Sequence, residues 1–134
     1  SLATIREIRD KNVIAHLWAQ GRKLQDGYNV LSRGFGLENQ TQCIGLPPHT
    51  VVTFKDAGGE ESLILKSLFQ QECLRRGILF SAGHNICFSH TDKDVDDTLR
   101  VYRTALEILA QAVGEGDVLE RLDGRPVEAV FRRA

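Results

Sequence analysis

Residues 84–96 contain the side chains best suited to carry chemistry. His84 and His90 lie six positions apart with Cys87 between them, and imidazole and thiolate groups are the ligands that zinc prefers. On a strand, His84 and His90 would share one face and Cys87 would point to the other. Neither a second cysteine pair nor an H-E-x-x-H motif accompanies them. We therefore expect no metal site, and we interpret His90 as a loop residue that bonds backbone just before a helix.

The acidic run Asp92 to Asp97 is interpreted as the start of a helix rather than as a calcium site. A calcium loop of the EF-hand type needs a glycine at its sixth position and a glutamate at its twelfth, and this run has neither. Thr91, followed three residues later by Asp94, resembles a capping box. Carboxylates in the first turns also suit the positive end of the helix dipole.

The sequence supplies no self-contained active site. It has no G-x-S-x-G, no G-x-x-x-x-G-K-[ST] and no signature of a Cys/His nucleophile pair. Cys73 falls on the apolar face of a predicted helix and is expected to pack in the core. We assign no catalytic, cofactor-binding or metal-binding residue to this chain.

Three helices are predicted to hold this segment in place. The first spans 11–33, with Gly21 on its apolar stripe allowing a close neighbour and with Gly34 and Gly36 as its stop. Asp10 or Asn12 is its candidate cap, so residues 2–9 are either a separate helix or the end of one that began upstream.

The second predicted helix spans about 60–76. Glu60 and Glu61 suit its start, Arg75 and Arg76 its end, and Gly77 the position after it. Its predicted buried residues are Leu65, Leu68, Phe69 and Cys73. The third helix follows the Thr91 cap, carries an apolar stripe from Val95 to Val113, and is predicted to end at Gly114.

Short strands are predicted between these helices. The apolar run 43–46 is followed by a turn at Pro47 and Pro48 and by a strand over 50–54. Further strands are predicted at 78–80 and 86–88, with a turn over 81–85 between them, and an edge strand is predicted at 127–131. The predicted fold class is α+β, a small antiparallel or mixed sheet of three to four strands covered by helices on one face.

Composition restricts the class of protein. The chain has 134 residues, 42% apolar and 26% charged, with a formal net charge of −1, which is typical of one globular domain. A balanced charge argues against a nucleic-acid partner, and no apolar run long enough for a membrane helix is present. The three cysteines form an odd, widely spaced set. With no signal-peptide pattern, they favour free thiols in the cytoplasm.

The chain is interpreted as one domain cut from a longer protein. It contains no methionine, and it begins within a helical pattern at Leu2, Ile5 and Ile8. We divide it into leading helices over 1–33, an α+β core over 41–113 and a tail over 114–134.

Three segments resemble class III pyridoxal-phosphate (PLP) aminotransferases, and within them the glutamate-1-semialdehyde aminomutase-like branch. Residues 68–79, LFQQECLRRGIL, resemble the family's F-x-Q-E-x-L-x-R-G-I-L stretch. Residues 84–96, HNICFSHTDKDVD, are similar to its S-x-A-H-T-x-x-D-I-D near the C-terminus. Residues 13–18 and 21–27 look like the helix leading into the family's C-terminal domain. The likeness covers roughly residues 5–113.

The resemblance implies the small C-terminal domain of a homodimeric fold-type-I enzyme. Its partners would be the parent's large PLP-binding domain and a second subunit. By the same resemblance, the Schiff-base lysine belongs to the large domain and would lie upstream of Ser1. None of the five lysines of this chain stands in a matching segment: Lys11, Lys23, Lys55, Lys66 and Lys93. This fragment alone would bind no cofactor and would be inactive.

The resemblance also places part of the substrate pocket in the loop before His90. His84 and Asn85 are the candidate pocket residues, although turn chemistry explains both as well. Aminomutases carry a glutamate in this loop, where this sequence has Ala82. An aminotransferase acting on another substrate, such as a sugar or amino acid derivative, is therefore as consistent with the sequence as an aminomutase.

Two alternatives remain open on the sequence. One is a stand-alone, non-catalytic α+β module that dimerises through the open face of its sheet or through its first helix; Trp18 or Tyr28 without a partner inside the chain would favour it. The other is a small independent enzyme that uses His84 and His90.

Overall fold

The computed structural model describes residues 1–129 of the chain. They form an α+β fold in which a three-stranded antiparallel sheet packs against helices, which confirms the predicted class. The elements in chain order are α1 (Leu2–Asp10), α2 (Val13–Gly34), β1 (Thr41–Leu46), β2 (His49–Phe54), α3 (Leu63–Arg75), β3 (Gly83–Asn85) and α4 (Asp92–Glu115). None of the helices in this part of the chain has the length and apolar character needed to cross a lipid bilayer.

The sheet has the strand order β1-β2-β3, so β2 lies in the middle. Leu46 pairs with His49, so the chain turns at Pro47 and Pro48. This confirms the predicted turn. Alternate side chains of β1 and β2, such as Cys43 and Val52, are buried beneath the helices. The opposite alternation leaves Ile44, Leu46 and Val51 exposed. Helices therefore cover one face of the sheet, as predicted.

An aromatic cluster fills the space between the sheet and the helices. Phe69 of α3 lies at its centre, with ring centroids 5.0 Å from Phe80, 5.3 Å from Tyr102 and 5.8 Å from Tyr28. These edge-on and tilted contacts add to the burial of large apolar surfaces. The predicted buried residues of α3, Leu65, Leu68, Phe69 and Cys73, are all in this core, which confirms them.

Residues 2–10 form helix α1, which ends before α2 begins at Val13. Asn12 occupies the N-cap position of α2 with a left-handed backbone, φ 50°, but its side chain makes no cap hydrogen bond. The predicted close approach at Gly21 is confirmed. A Cβ there would lie 1.9 Å from the carbonyl oxygen of Pro47, so only glycine lets α2 touch the β1–β2 turn.

The predicted start of α3 is wrong. The helix begins at Leu63 rather than at residue 60, and Glu60 and Glu61 precede it. Glu61 forms an isolated β-bridge with Lys55, and the Ser62 N–H donates to the Phe54 carbonyl at 2.9 Å. These contacts keep the chain extended up to Ser62, whose hydroxyl then caps the helix by accepting from the Leu65 N–H.

The predicted strands at 78–80 and 86–88 are also wrong. Neither segment is a strand, and the single strand β3 falls inside the predicted turn, at Gly83–Asn85. A Cβ at Gly83 would lie 2.0 Å from the Thr50 carbonyl oxygen, so a glycine is needed for β3 to lie beside β2. Tertiary contact with β2 thus overrides the strand propensity of the flanking apolar residues.

The start of α4 is confirmed and its predicted end is wrong. Thr91 and Asp94 form the capping box in both directions. The helix continues through Gly114 to Glu115, and Gly116 is the C-cap in a left-handed conformation. Residues 127–129 have no strand structure, and the rest of the predicted strand at 127–131 lies outside the described residues.

Candidate functional site

A cavity of about 320 Å³ lies between β3, the linker after α3 and the first turns of α4. It contains both sequence-predicted pocket residues, His84 and Asn85, and also His90. Apolar side chains form much of its wall and polar groups converge from β3 and α4, the arrangement common in small-molecule sites. The other lining residues include Leu24, Ile78, Leu79, Ile86, Asp94, Val95, Thr98 and Tyr102.

His84 forms the buried floor of this cavity. It lies directly across from Thr50 in the β2–β3 register, and its Nδ1 is 2.7 Å from the Thr50 hydroxyl. Its Nε2 is 2.9 Å from the Tyr102 hydroxyl of α4. Burial lowers the pKa of His84 to about 4, so the ring is neutral at pH 7. Because both ring nitrogens have partners, His84 shapes the site and is not a free base or ligand.

The geometry of His84 disfavours an independent enzyme built on His84 and His90. A general base needs a ring nitrogen within reach of substrate, and both nitrogens of His84 are held by Thr50 and Tyr102. The sequence did not point to these partners. Tyr102 fits the apolar stripe of α4, and Thr50 is 34 residues from His84.

Asn85 lies at the exposed rim of the cavity. Its side chain hydrogen-bonds the His49 Nδ1 across the β2–β3 pair. The next backbone N–H, of Ile86, donates to the Pro48 carbonyl at 3.0 Å, so the end of β3 is tied to the β1–β2 turn. A polar amide is thereby held at the mouth of the cavity by β2 rather than by turn chemistry of its own.

His90 is a loop residue that bonds backbone before α4, as predicted. Its Nδ1 accepts the Cys87 N–H at 3.1 Å. Its carbonyl accepts from Nε2 of His16 at 2.8 Å, which ties the loop to α2. The loop also brings the Cys87 sulfur within 3.6 Å of the His90 ring, a contact that we did not predict. In the sequence, the only sign of this contact is the C-x-x-H spacing of Cys87 and His90.

The acidic start of α4 serves the helix and its packing. Asp94 completes the capping box, while Asp92 accepts from Gln20 at 3.0 Å. Lys23 of α2 contacts Asp96 at 2.8 Å. The hydrogen bond from Gln20 and the charge of Lys23 lower the pKa of Asp92. Within residues 1–129, no group of three histidine, cysteine or acidic side chains is arranged to hold a metal ion.

The cavity does not fit PLP held through a lysine, because no lysine lines it. Lys23 and Lys93 pair with aspartates of α4, and Lys11 pairs with Glu7. Lys55 and Lys66 line a second cavity, of about 250 Å³, between β2 and the start of α3.

The fold resembles that of a PLP protein. The chain superposes on the FumI protein of Sphingopyxis sp. MTA144, solved in its PLP internal aldimine form, with a TM-score of 0.72 and 21% sequence identity. The match covers 84% of this chain but 27% of the FumI chain, so this chain spans little more than a quarter of that protein. The superposition therefore confirms that this chain shares its fold with part of this PLP-bearing protein. No family model and no curated protein matches the sequence.

Proposed function

We propose that this chain is the small domain of a PLP-dependent class III aminotransferase, or of a related aminomutase. The observation that carries the proposal is the superposition of 84% of the chain on 27% of a PLP-bearing protein. The resemblance of the sequence to the class III family, which covers roughly residues 5–113, supports the same assignment.

In this proposal the rest of a homodimeric enzyme supplies the cofactor and its lysine. PLP, when bound there, acts as an electron sink for proton transfer at the substrate α-carbon. This chain contributes a wall of the substrate pocket: Asn85 at the rim, with His84 fixing the strand beneath it. The three free cysteines fit a cytoplasmic enzyme.

The uncovered face of the sheet supports a larger partner. Ile44 and Val51 are each 46% exposed and Leu46 is 65% exposed, although they alternate with core residues on β1 and β2. A contiguous apolar patch of this kind is typical of a protein interface. The large domain of the same enzyme is its proposed occupant.

Borohydride trapping with PLP tests where the lysine lies. Intact mass and peptide mapping should show weak labelling scattered over the five lysines, at the level of a lysine-rich control protein. A stoichiometric adduct on one lysine, saturating at low cofactor concentration, would overturn the proposal. Lys55 and Lys66 are the positions to inspect first, because they line a cavity.

The pocket role of Asn85 is tested in the longer enzyme. Asn85→Ala should raise the substrate KM about tenfold by removing one polar contact, with the cofactor spectrum unchanged. Asn39→Ala is the matched control, since Asn39 is exposed and lies outside the cavity. Equal KM values for both variants would count against the pocket role.

A stand-alone dimerisation module is the second candidate. None of the residues of α1 is buried, and its apolar residues Leu2, Ile5 and Ile8 face solvent. Trp18 is partly exposed as well, whereas Tyr28 is fully buried within the chain, so only Trp18 favours this candidate. Light scattering should then show a dimer that either Val51→Asp, on the open face of the sheet, or Trp18→Asp, on α2, dissociates. A strict monomer over a wide concentration range would exclude it.

A further inference from the structure

The cavity between β3 and α4 has an unbalanced set of charges. Of residues 1–129, no lysine or arginine lines it, and Asp94 is its one acidic side chain. The backbone N–H and the hydroxyl of Thr91 lower the pKa of Asp94, so its carboxyl is ionised at pH 7. The wall of the cavity therefore carries a negative charge.

The two histidines of the cavity do not offset this charge. Burial lowers the pKa of His84 to about 4, so its ring is neutral at pH 7. Nδ1 of His90 accepts the Cys87 N–H at 3.1 Å, so this ring is in the neutral form that carries its hydrogen on Nε2. Both rings line the cavity as uncharged groups.

The start of α4 fixes the position of the Asp94 carboxylate. Its Oδ2 accepts from the Thr91 N–H at 2.8 Å and from the Thr91 hydroxyl at 2.7 Å. Helix N-termini attract anions, but here the Asp94 side chain is itself the anion that completes the helix end. Among residues 1–129 both of these bonds use Oδ2, which leaves Oδ1 to accept from a group in the cavity.

The basic side chains around the start of α4 are paired with other aspartates. Lys23 of α2 contacts Asp96 at 2.8 Å. Lys93 and Arg100 both contact Asp97, at 2.5 and 3.0 Å. Their charges are matched locally, and none of the three lines the cavity.

The rest of the wall offers apolar surface and hydrogen-bonding groups. Ile78, Leu79 and Ile86 line it, and Leu79 is 87% exposed, so its side chain is available to a ligand. The Asn85 oxygen is engaged by His49, which leaves the amide N–H groups of Asn85 to donate at the rim. Such a wall suits an alkyl chain with a polar end.

We propose that this cavity receives a part of the amine substrate that carries no negative charge, an alkyl chain ending in a carboxamide, hydroxyl or ammonium group that donates to Asp94. A carboxylate or phosphate at the same place would face the Asp94 carboxylate, and no cation of residues 1–129 lines the cavity to compensate. Asp94 therefore excludes anionic groups. That the ligand is a substrate rests on the proposed function, whereas the charge preference belongs to the cavity of this chain.

NMR titration of the 134-residue chain measures the preference without PLP or a partner domain. The probes are butanamide and butanoate, which have nearly the same shape and differ by one negative charge. At pH 7, butanamide should shift the backbone amides of Asn85 and Thr98 with a dissociation constant lower than that of butanoate by about fivefold or more, as expected for one like-charge contact. Equal or tighter binding of butanoate, or no shift of these amides by either probe, would overturn the proposal.

Three variants separate the charge of Asp94 from its role in the helix cap. Asp94→Asn removes the charge and keeps the shape, so both probes should bind equally. Asp97→Asn is the matched control, because it removes a carboxylate of the same helix from outside the cavity, and it should keep the preference. Thr91→Ala weakens the cap but leaves the Asp94 charge, and it should keep the preference as well.

Loss of the preference in Thr91→Ala or Asp97→Asn would overturn the role of Asp94, since helix stability or overall charge would then explain it. If Asp94→Asn fails to fold, the comparison of the two probes on the wild-type chain still decides the proposal.

KM values in the longer enzyme test whether the substrate enters the cavity. An amine with a terminal carboxamide should have a KM about fivefold below that of its carboxylate analogue, and Asp94→Asn should remove the difference. Equal KM values in the wild type would overturn the entry of substrate, even with the preference present by NMR. A longer protein that forms no PLP adduct, with the NMR preference intact, would count against the proposed function and not against the charge preference.

Discussion

Helix α4 and the segment 77–90 before it are neighbours in sequence, but different interactions order them. α4 is specified by residues close to one another: a capping box at Thr91 and Asp94 and an apolar stripe with helical spacing. The segment before it is held by distant residues. Gln70 donates to the Phe80 and Ser81 carbonyls at 3.1 and 2.7 Å, and Thr50 bonds His84. A helix carries its own hydrogen bonds, whereas a short strand depends on its partner.

This difference also separates the chemistry of His84 from that of Cys87, three residues later. His84 is buried and neutral, with both ring nitrogens bonded to other elements. Cys87 is exposed, and its hydrogen-bond partners, the Ser89 hydroxyl and the His90 ring, come from its own loop. Burial by distant elements thus keeps His84 neutral, whereas the loop that surrounds Cys87 leaves its sulfur exposed to solvent.

The largest effect is expected from Gly83→Ala. The added Cβ would lie 2.0 Å from the Thr50 carbonyl oxygen, so β3 has to move away from β2. We expect the free energy of unfolding, measured in urea, to fall by about 3 kcal/mol or more. Gly114→Ala is the matched control in α4, where a Cβ meets nothing within 4 Å. It should be neutral or stabilising by up to about 1 kcal/mol. Equal losses in the two variants would contradict the contrast between the regions.

Next in size is the pH dependence that His84 imposes. Its pKa is about 4 in the folded chain, lowered by burial from 6.5. Between these values the unfolded chain binds more protons. The contribution of neutral His84 to the free energy of unfolding is therefore fully present above pH 6.5. It is lost as the pH is lowered toward 4, by up to about 3 kcal/mol.

Urea unfolding of the wild type and of His84→Gln at several pH values measures this term. The variant should lose the slope between pH 6.5 and 4. Aspartates with lowered pKa values, such as Asp94, lose their contribution below the ordinary value of 3.8, outside this window. Glu72, whose pKa is lowered from 4.5, enters only the acid end of the window and is present in both proteins. The same slope in both proteins would show that His84 is not the group responsible.

Tyr102→Phe probes the one hydroxyl that joins the two regions. It removes the partner of His84 Nε2 and leaves a buried ring nitrogen unsatisfied, at a cost of about 2 kcal/mol in urea unfolding. Tyr28→Phe removes another buried hydroxyl, 2.6 Å from that of Thr41, and is the matched comparison. Only Tyr102→Phe should alter the pH slope assigned to His84. An altered slope in Tyr28→Phe would mean that the effect comes from the core as a whole.

The smallest effect is expected from Thr91→Ala. It removes half of the capping box and should lower the free energy of unfolding by about 1 kcal/mol, because the first N–H groups of α4 lose an acceptor. Thr104→Ala, in the interior of the same helix, should be neutral or slightly stabilising. If Thr104→Ala were the more damaging change, the local specification of α4 would be refuted.

The sequence alone determined the helices, the β1–β2 hairpin, the close approach at Gly21 and the buried face of α3. Each depends on periodicity, a cap or a turn contained within a few residues, so its signal is local. It also singled out His84 and Asn85 together, although the predicted turn that holds them is strand β3 in the structure. Their role in a substrate pocket stays a proposal.

Only the tertiary structure decided where β3 lies and which histidine is buried. Gly-His-Asn has little strand propensity, and the flanking apolar residues have more. The register with Thr50, the space that Gly83 leaves and the hydroxyl of Tyr102 together select residues 83–85. Those partners lie 18 and 34 residues from His84 in the chain, beyond the reach of any local pattern. Sequence proximity predicts structure where the hydrogen bonds are local, and tertiary contact decides it where they are not.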